Sequence, residues 1–238
     1  MIKGPRLYWL DSLRGTLILM MVAYHFVFDL PYFFSGTPDP YSGIWILIAR
    51  VVQYGFLSAV GLSLYLSFKK APDYSIWLKR MEVRAFKLFG VAMAITLVTW
   101  LVAPDAYIRF GILHLISVSI LLGALIIPST ALTGAAFFLS LALGIYLSGS
   151  EAPYSFLIPF GLPPANFYTF DYFPLFPWFS VVLAGILLAK VFEHLSWLQN
   201  PKWLGRFPAL EKIGQHSLLI YLIHQPILLG GLWILFHL

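Results

Sequence analysis

The chain has 238 residues, of which 60% are hydrophobic and 11% charged, whereas an ordinary soluble domain carries about 25% charged residues. With a mean hydropathy of +0.85, a water-facing domain of this size would leave more apolar surface than it can bury, so a soluble fold is excluded. The net charge of +5 therefore reports membrane topology, and no nucleic-acid partner is expected. The chain has no cysteine, which excludes disulfides, thiolate catalysis and cysteine metal sites.

Long apolar runs predict an all-α polytopic membrane helix bundle of about seven transmembrane helices. The bundle forms one domain over residues 1–238, and prolines and charged residues mark the breaks between its helices. The predicted spans are 9–30, 43–68, 85–103, 108–127, 130–147, 174–192 and 213–236.

Lysines and arginines predict the orientation of the bundle. If seven spans alternate, one side holds twelve of the 15 basic residues, namely Lys3, Arg6, Lys69, Lys70, Lys79, Arg80, Arg84, Lys87, Lys190, Lys202, Arg206 and Lys212. The positive-inside rule makes that side cytoplasmic, with the N-terminus inside and the C-terminus outside. We therefore expect a multi-pass protein of the cell membrane whose immediate partner is the lipid bilayer.

The first predicted helix carries an unusual polar face. At 100° per residue, its four ionisable residues Asp11, Arg14, His25 and Asp29 fall within an arc of about 60°. Because ionisable groups are costly in lipid, this face is predicted to be interior and functional. We expect the His25 ring to hydrogen-bond Asp29 one turn later, which would prepare the histidine as a base. The alternative is that Asp29 neutralises Arg50 on the second helix.

Further polar candidates lie on the fourth and seventh predicted helices: Arg109, His114 and Ser117, and then His216, Ser217, Tyr221, His224 and Gln225. Pro226 frees the carbonyl of Leu222, as in the broken helices that line polar cavities. Interhelical hydrogen bonding is the alternative role for these side chains. No helix has histidines at the i, i+4 spacing of a metalloprotease, and no metal is expected.

The segment from Ser148 to Trp178 is rich in proline and aromatic residues and is too broken to span a membrane. It predicts a rigid external aromatic lid on which a sugar stacks, with Asn166 or Asp171 bonding its polar groups. An interfacial aromatic belt is the alternative. On the opposite side, the basic segment from Lys69 to Lys87 suits a polyphosphate ligand, although such loops are also the topogenic norm and meet anionic lipids.

Four blocks in order resemble the bacterial and archaeal branch of the heparan-alpha-glucosaminide N-acetyltransferase catalytic-domain family. They are RLYWLDSLRGTLILMMVAYHFVFDL, RFGILHLISVSILL, DYFPLFPWFSVVLAGILLAK and IGQHSLLIYLIHQPIL. The spacing of Arg14 and His25 is also similar to that of transmembrane acyltransferases that modify surface polysaccharides. The lysosomal branch has more spans and resembles an asparagine where this chain has His25, so the resemblance carries over the reaction class and not the heparan substrate.

The resemblance implies an acyltransferase that moves acetyl from cytosolic acetyl-CoA, its co-substrate, to an amine or hydroxyl of an extracytoplasmic sugar or glycoconjugate. His25 and Asp29 are then the catalytic candidates, with His25 as general base. The donor-binding candidates are Arg14, Asp11 and Arg109. The acceptor-binding candidates are His114, Asp171, Trp178, Tyr221, His224 and Gln225.

Two readings from other classes stay open at this point. A small-molecule or proton-linked transporter would use the same histidines and acids as a relay, although no inverted repeat supports it. A structural subunit of a larger complex would leave the polar face of the first helix unexplained. A homo-oligomer is compatible with each reading.

Overall fold

A computed structural model describes residues 7–194 and 206–237. Over these ranges the fold is all-α, as predicted, with eight α-helices and two short 3-10 helices, Leu30–Tyr32 and Ser155–Phe160. The α-helices are α1 (Tyr8–Asp29), α2 (Gly43–Lys69), α3 (Tyr74–Val102), α4 (Ile112–Ile126), α5 (Thr130–Leu147), α6 (Leu175–His194), α7 (Pro208–Gln215) and α8 (Ser217–His237).

Six helices of the described chain are long and apolar enough to cross a membrane: α1 with its 3-10 extension, α2, α3, α5, α6 and α8. The remaining predicted span, 108–127, coincides with α4, which is apolar but has only 15 residues. At 1.5 Å per residue it extends about 22 Å, less than the roughly 30 Å hydrocarbon core. The prediction of about seven spans is therefore close in count and in position.

The third helix begins at Tyr74, eleven residues before the predicted start at 85. Its N-terminus is capped by Asp73, whose Oδ1 accepts hydrogen bonds from Ile76 N at 2.9 Å and from the Ser75 hydroxyl at 2.6 Å. These bonds lower the pKa of the Asp73 carboxyl. Lys79, Arg80 and Arg84 lie before the predicted start of this span, but the exposed first turns of the helix accommodate them because their side chains reach water.

The last predicted span is two helices, because the backbone leaves helical geometry at His216, with φ −106° and ψ 15°. The short helix before this break, α7, packs against α1. The helix after it, α8, is the apolar one. An apolar run in the sequence does not reveal such a break, because the position of the break depends on where the chain must turn to pack.

The chain divides into two compact units. Unit 1 comprises Met1–Phe56 and Trp197–Leu238, and within it α1 packs against α7 and α8. The α1–α7 crossing is close, because a Cβ on Gly15 would overlap the carbonyl oxygen of Leu210 and a Cβ on Gly214 would overlap that of Asp11.

Unit 2 comprises Leu57–Ser196. Within it α3 packs against α4, and α5 and α4 pack against α6. The second half of α2 crosses α6 at another reciprocal glycine contact, in which Gly61 faces the Val182 carbonyl and Gly185 faces the Ser58 carbonyl. Small residues allow the two backbones to approach, as is common where helices pack in membranes.

The two ends of unit 2 differ in chemistry. At the lysine-rich end, where α2 ends and α4 meets α5, Lys190 Nζ donates to Ile127 O at 2.8 Å, and Lys69 pairs with Glu193 at 2.9 Å. At the other end, which we call the loop end, residues 103–111 and 148–174 join through backbone hydrogen bonds from Phe170 N to Ala106 O and from Phe173 N to Phe110 O. The assignment of the lysine-rich end to the cytoplasm stays a prediction.

Candidate functional site

Two histidines meet inside unit 1, His25 from α1 and His224 from α8. Their ring centroids lie 4.8 Å apart at an interplanar angle of 76°. His224 is buried and His25 is half-buried. The second half of the polar face predicted for the first helix therefore faces α8.

Hydrogen bonds determine where each neutral ring carries its proton. Nδ1 of His25 lies 2.9 Å from Met21 O, and Nδ1 of His224 lies 2.6 Å from Tyr221 O. A carbonyl oxygen only accepts, so Nδ1 of each ring is the donor and Nε2 carries the lone pair. Nε2 of His224 is buried with no hydrogen-bond partner among the described residues. The site thus presents two nitrogen bases.

The predicted hydrogen bond between His25 and Asp29 is not formed in the structure. Side chains on a helix point toward its N-terminus, so the His25 ring reaches back to Met21 and away from Asp29. Asp29, which is 1% exposed, accepts from Gln225 Nε2 at 2.8 and 2.9 Å. The alternative is wrong as well, because Arg50 is exposed and donates to Gln53 Oε1 at 3.1 Å.

The Gln225 amide links the acid to the histidine pair. It is the neighbour of His224 on α8, and while its nitrogen binds Asp29, its Oε1 is buried and has no partner among the described residues. Tyr221 completes this part of unit 1, with its ring 5.7 Å from that of His224. Unpaired buried acceptors of this kind are costly unless a ligand or water supplies the missing donor.

A second polar group lies near the start of α1. Arg14 Nη1 is 3.5 Å from Asp11 Oδ1, and Gln215 Nε2 donates to Asp11 Oδ2 at 3.4 Å. The Arg14 side chain remains 26% exposed. No signal in the sequence points to Gln215, because its position beside Asp11 follows from the glycine crossing of α1 and α7.

In unit 2, Asp171 caps the N-terminus of α4. Its Oδ2 accepts a hydrogen bond from Ile112 N at 2.8 Å. Removal from water raises the pKa of this carboxyl to about 6, and the backbone hydrogen bond offsets only part of the rise. Asp171 therefore has a structural partner at Oδ2, and its assignment to acceptor binding stays a prediction.

His114 is held in one tautomer by its neighbours. Gly111 N donates to its Nδ1 at 3.2 Å, so the ring proton is on Nε2, which lies 3.3 Å from Thr96 Oγ1. The Thr96 hydroxyl donates its own proton to Ile108 O at 2.7 Å and thus accepts from His114. Both ring nitrogens are satisfied, which favours the interhelical role over acceptor binding. Ser117 is likewise bonded, to Ala85 O.

Arg109 lies at the loop end of unit 2. Its guanidinium stands 4.7 Å from the centroid of the Tyr107 ring and 5.0 Å from that of Phe167. It lines a cavity of about 260 Å³ together with Thr96, Tyr107, Ser155, Ile158 and Pro159. This is the opposite end of the unit from the lysine-rich end, and the assignment of Arg109 to donor binding stays a prediction.

The proline-rich segment has exposed and packed aromatic residues. Trp178 is half-buried, with its ring 4.8 Å from that of Phe173. Tyr154 and Phe156 stack at 5.6 Å and are 59% and 69% exposed. Exposed rings of this kind suit both a sugar platform and an interfacial belt.

The structure thus brings the sequence-predicted residues together in two places. His25, Asp29, Tyr221, His224 and Gln225 gather in unit 1, with Arg14 and Asp11 nearer the start of the same helix. Arg109, His114 and Asp171 lie around the loop end of unit 2. His216 is outside both groups, since it is exposed and bonded to Lys212 O within its own turn. Among the described residues, no three His, Asp or Glu side chains form a group that could hold a metal ion.

These features define a multi-pass membrane protein with paired histidines inside a helix bundle. The family model described as "Heparan-alpha-glucosaminide N-acetyltransferase, catalytic" matches residues 6–226, and the chain belongs to that family. The protein is accordingly an acyltransferase. Comparison with curated proteins and with solved structures found no match.

Proposed function

We propose that this enzyme, at the cell membrane, transfers acetyl from cytosolic acetyl-CoA to an amine or hydroxyl of an extracytoplasmic sugar or glycoconjugate. The proposal rests on family membership together with one observation, the meeting of two histidines that both present an Nε2 lone pair. Family membership favours this reaction over the transporter and structural-subunit readings.

His25 Nε2 is the proposed general base. It removes the proton of the acceptor N–H or O–H as that nitrogen or oxygen attacks the acetyl carbonyl carbon. The resulting tetrahedral intermediate expels the CoA thiolate by breaking the carbon–sulfur bond, and the proton on His25 is returned to the thiolate. The net reaction is acetylated acceptor plus CoA. Base catalysis of this type contributes about 10²–10⁴-fold in rate.

Asp29 and Gln225 serve as positioning residues in this scheme. The Asp29 carboxylate holds the Gln225 amide, and Gln225 Oε1 has no donor in the described part of the chain. That oxygen suits a remaining N–H or O–H of the acceptor. His224, with its unpartnered Nε2, is placed either to bind the acceptor or to exchange a proton with His25, and Tyr221 supports its ring.

Arg14 is the proposed contact for the phosphates or pantetheine arm of CoA. A partly exposed guanidinium oriented by Asp11 suits a ligand that enters from the predicted cytoplasmic side. Eleven residues, or about 16 Å along α1, separate Arg14 from His25. An extended acetyl-CoA molecule bound at Arg14 spans this distance and brings its thioester to His25. Arg109 is not proposed for donor binding, because the loop end of unit 2, where it lies, is predicted to face outside.

The test combines binding and turnover in detergent-purified protein. Acetyl-CoA that binds only the folded state must raise the unfolding temperature, and Arg14→Ala is expected to abolish the rise. With D-glucosamine as a probe that offers an amine and hydroxyls, we expect His25→Ala to lower acetyl transfer by about 10²-fold or more while acetyl-CoA still stabilises the variant. His216→Ala, at the exposed histidine, is the matched control.

Two outcomes would overturn parts of this proposal. Absence of any stabilisation of the wild-type protein by saturating acetyl-CoA would remove the donor assignment. Full activity of His25→Ala together with loss of activity in His224→Ala would move the base from α1 to α8.

A further inference from the structure

We infer that Arg109 forms an oxyanion-binding site at the loop end of unit 2, which takes a carboxylate, sulfate or phosphate group. The cation has no anionic partner in the described part of the chain, although Asp105, Glu151 and Asp171 belong to the same group of loops. Its Nε is buried and lacks a hydrogen-bond acceptor among the described residues. A buried donor of this kind is costly unless a ligand or water satisfies it.

The surroundings of Arg109 orient the guanidinium for a ligand. Tyr107 and Phe167 lie within 5.0 Å of its carbon, and such aromatic contacts hold the cation through its faces. The N–H groups in the guanidinium plane stay available, and two of them match the two oxygens of a carboxylate or sulfate. Tyr107 and Phe167 therefore orient the Arg109 guanidinium and leave its positive charge unpaired with any carboxylate of the described residues.

The wall of the cavity beside Arg109 is held by hydrogen bonds in which the Arg109 N–H groups take no part. Thr169 Oγ1 donates to Tyr107 O at 2.8 Å and the Tyr172 hydroxyl donates to Ile158 O at 2.8 Å, which ties the 3-10 helix to the loop. Ser155 adds an exposed hydroxyl to the lining. One cation, one hydroxyl and a volume of about 260 Å³ suit a single oxyanion with part of the molecule that carries it.

As the source of the oxyanion we assign the acceptor, and this step rests on the proposed function. The loop end is predicted to face outside, where acceptor would arrive, and exposed aromatic rings of the same loops offer stacking surfaces for a sugar. A sugar that docks at this end would then carry a negatively charged group.

The test measures binding in the absence of acetyl-CoA, so that its failure is separate from failure of the acetyl-transfer proposal. Sodium glucuronate is titrated into detergent-purified protein at constant ionic strength, with glucose as the neutral match. We expect glucuronate to raise the unfolding temperature by about 3 °C at a roughly tenfold excess over its Kd. Glucose should give no comparable rise.

Three variants localise the effect. Arg109→Gln should abolish the glucuronate shift, and Arg109→Lys, which keeps the charge but loses the planar pair of donors, should retain part of it. Arg50→Gln, at an exposed arginine in unit 1, is the matched control and should respond like the wild type. Saturation-transfer NMR on the glucuronate ring protons gives a second readout should Arg109→Gln unfold too readily.

An equal response of Arg109→Gln and the wild type to glucuronate would overturn the site. Inorganic sulfate serves as a second probe and should show the same dependence on Arg109. If instead only phosphatidylglycerol nanodiscs, compared with phosphatidylcholine nanodiscs, stabilise the protein through Arg109, the oxyanion is a lipid phosphate and the assignment to the acceptor is wrong.

Discussion

At the scale of single residues, three polar side chains of α1 have partners on α7 or α8. The arc of Asp11, Arg14, His25 and Asp29 predicted one polar face, and the structure places Asp11 beside Gln215, His25 beside His224 and Asp29 beside Gln225. Helical periodicity gives the direction of a side chain around its own axis. It contains no information on which residue of another helix lies opposite.

The buried cap of α4 makes a pH-dependent contribution to stability. Folding raises the pKa of Asp171 from 3.8 to about 6, so the folded state holds this proton more tightly than the unfolded state. The contribution is therefore full below about pH 4 and is lost as the pH rises to about 6. We expect the unfolding temperature of the wild type, relative to Asp171→Asn, to fall across this interval.

The measurement is thermal unfolding in detergent between about pH 4 and pH 7. Asp105→Asn, at an exposed acid of the neighbouring loop, controls for the loss of a charge. A difference between wild type and Asp171→Asn that stays constant with pH would contradict the linkage.

At the scale of helices, capping residues and backbone breaks determine where a helix begins and ends. Glycines determine where two helices can pack closely. Asp73 extends α3 beyond its apolar run, and the break at His216 separates α7 from α8. The run of apolar residues in the sequence marks where lipid can solvate a helix. It does not mark where the helix must stop or turn in order to pack.

The α1–α7 crossing predicts a specific sensitivity to a methyl group. A Cβ at Gly214 would overlap the Asp11 carbonyl oxygen, and overpacking of this kind costs about 1–3 kcal/mol. We expect Gly214→Ala to lower the unfolding temperature by several degrees, at about 2–4 °C per kcal/mol for a chain of this size. Acetyl-CoA stabilisation should also weaken, because the crossing positions Gln215 and Asp11 beside Arg14.

Gly230→Ala is the matched control on α8, where an added Cβ meets no atom within 4 Å. It should leave the unfolding temperature unchanged or slightly raised, since alanine is the better helix former. Equal destabilisation of both variants would show that the effect comes from helix propensity and not from the crossing.

At the scale of the whole molecule, the predicted membrane orientation of α5 and the residues after it depends on whether α4 crosses the membrane. The helix is short, yet the positive-inside pattern requires a crossing there. Because the chain has no cysteine, a single introduced cysteine reports the side on which it lies. Two exposed positions lie at opposite ends of α5: Ala131 in its first turn and Ser150 three residues after its last residue.

If α4 crosses, a membrane-impermeant maleimide added to intact cells should label Ser150→Cys and not Ala131→Cys. Labelling of both after permeabilisation is the control for reactivity. The reverse pattern in intact cells would mean that α5 runs in the opposite direction, and the predicted orientation of α5 and the residues after it would be wrong.

Composition, hydropathy and charge were sufficient to predict a multi-pass all-α membrane protein, because the cost of exposing backbone and charge to lipid acts on each segment separately. The four sequence blocks were sufficient for the family. Only the tertiary structure decided that His25 bonds to Met21 and faces His224, that Asp29 belongs to Gln225, and that Arg109 lies apart from the lysine-rich end. These outcomes depend on the crossing of helices distant in sequence, where glycine contacts and the direction of side chains along each helix determine which groups meet.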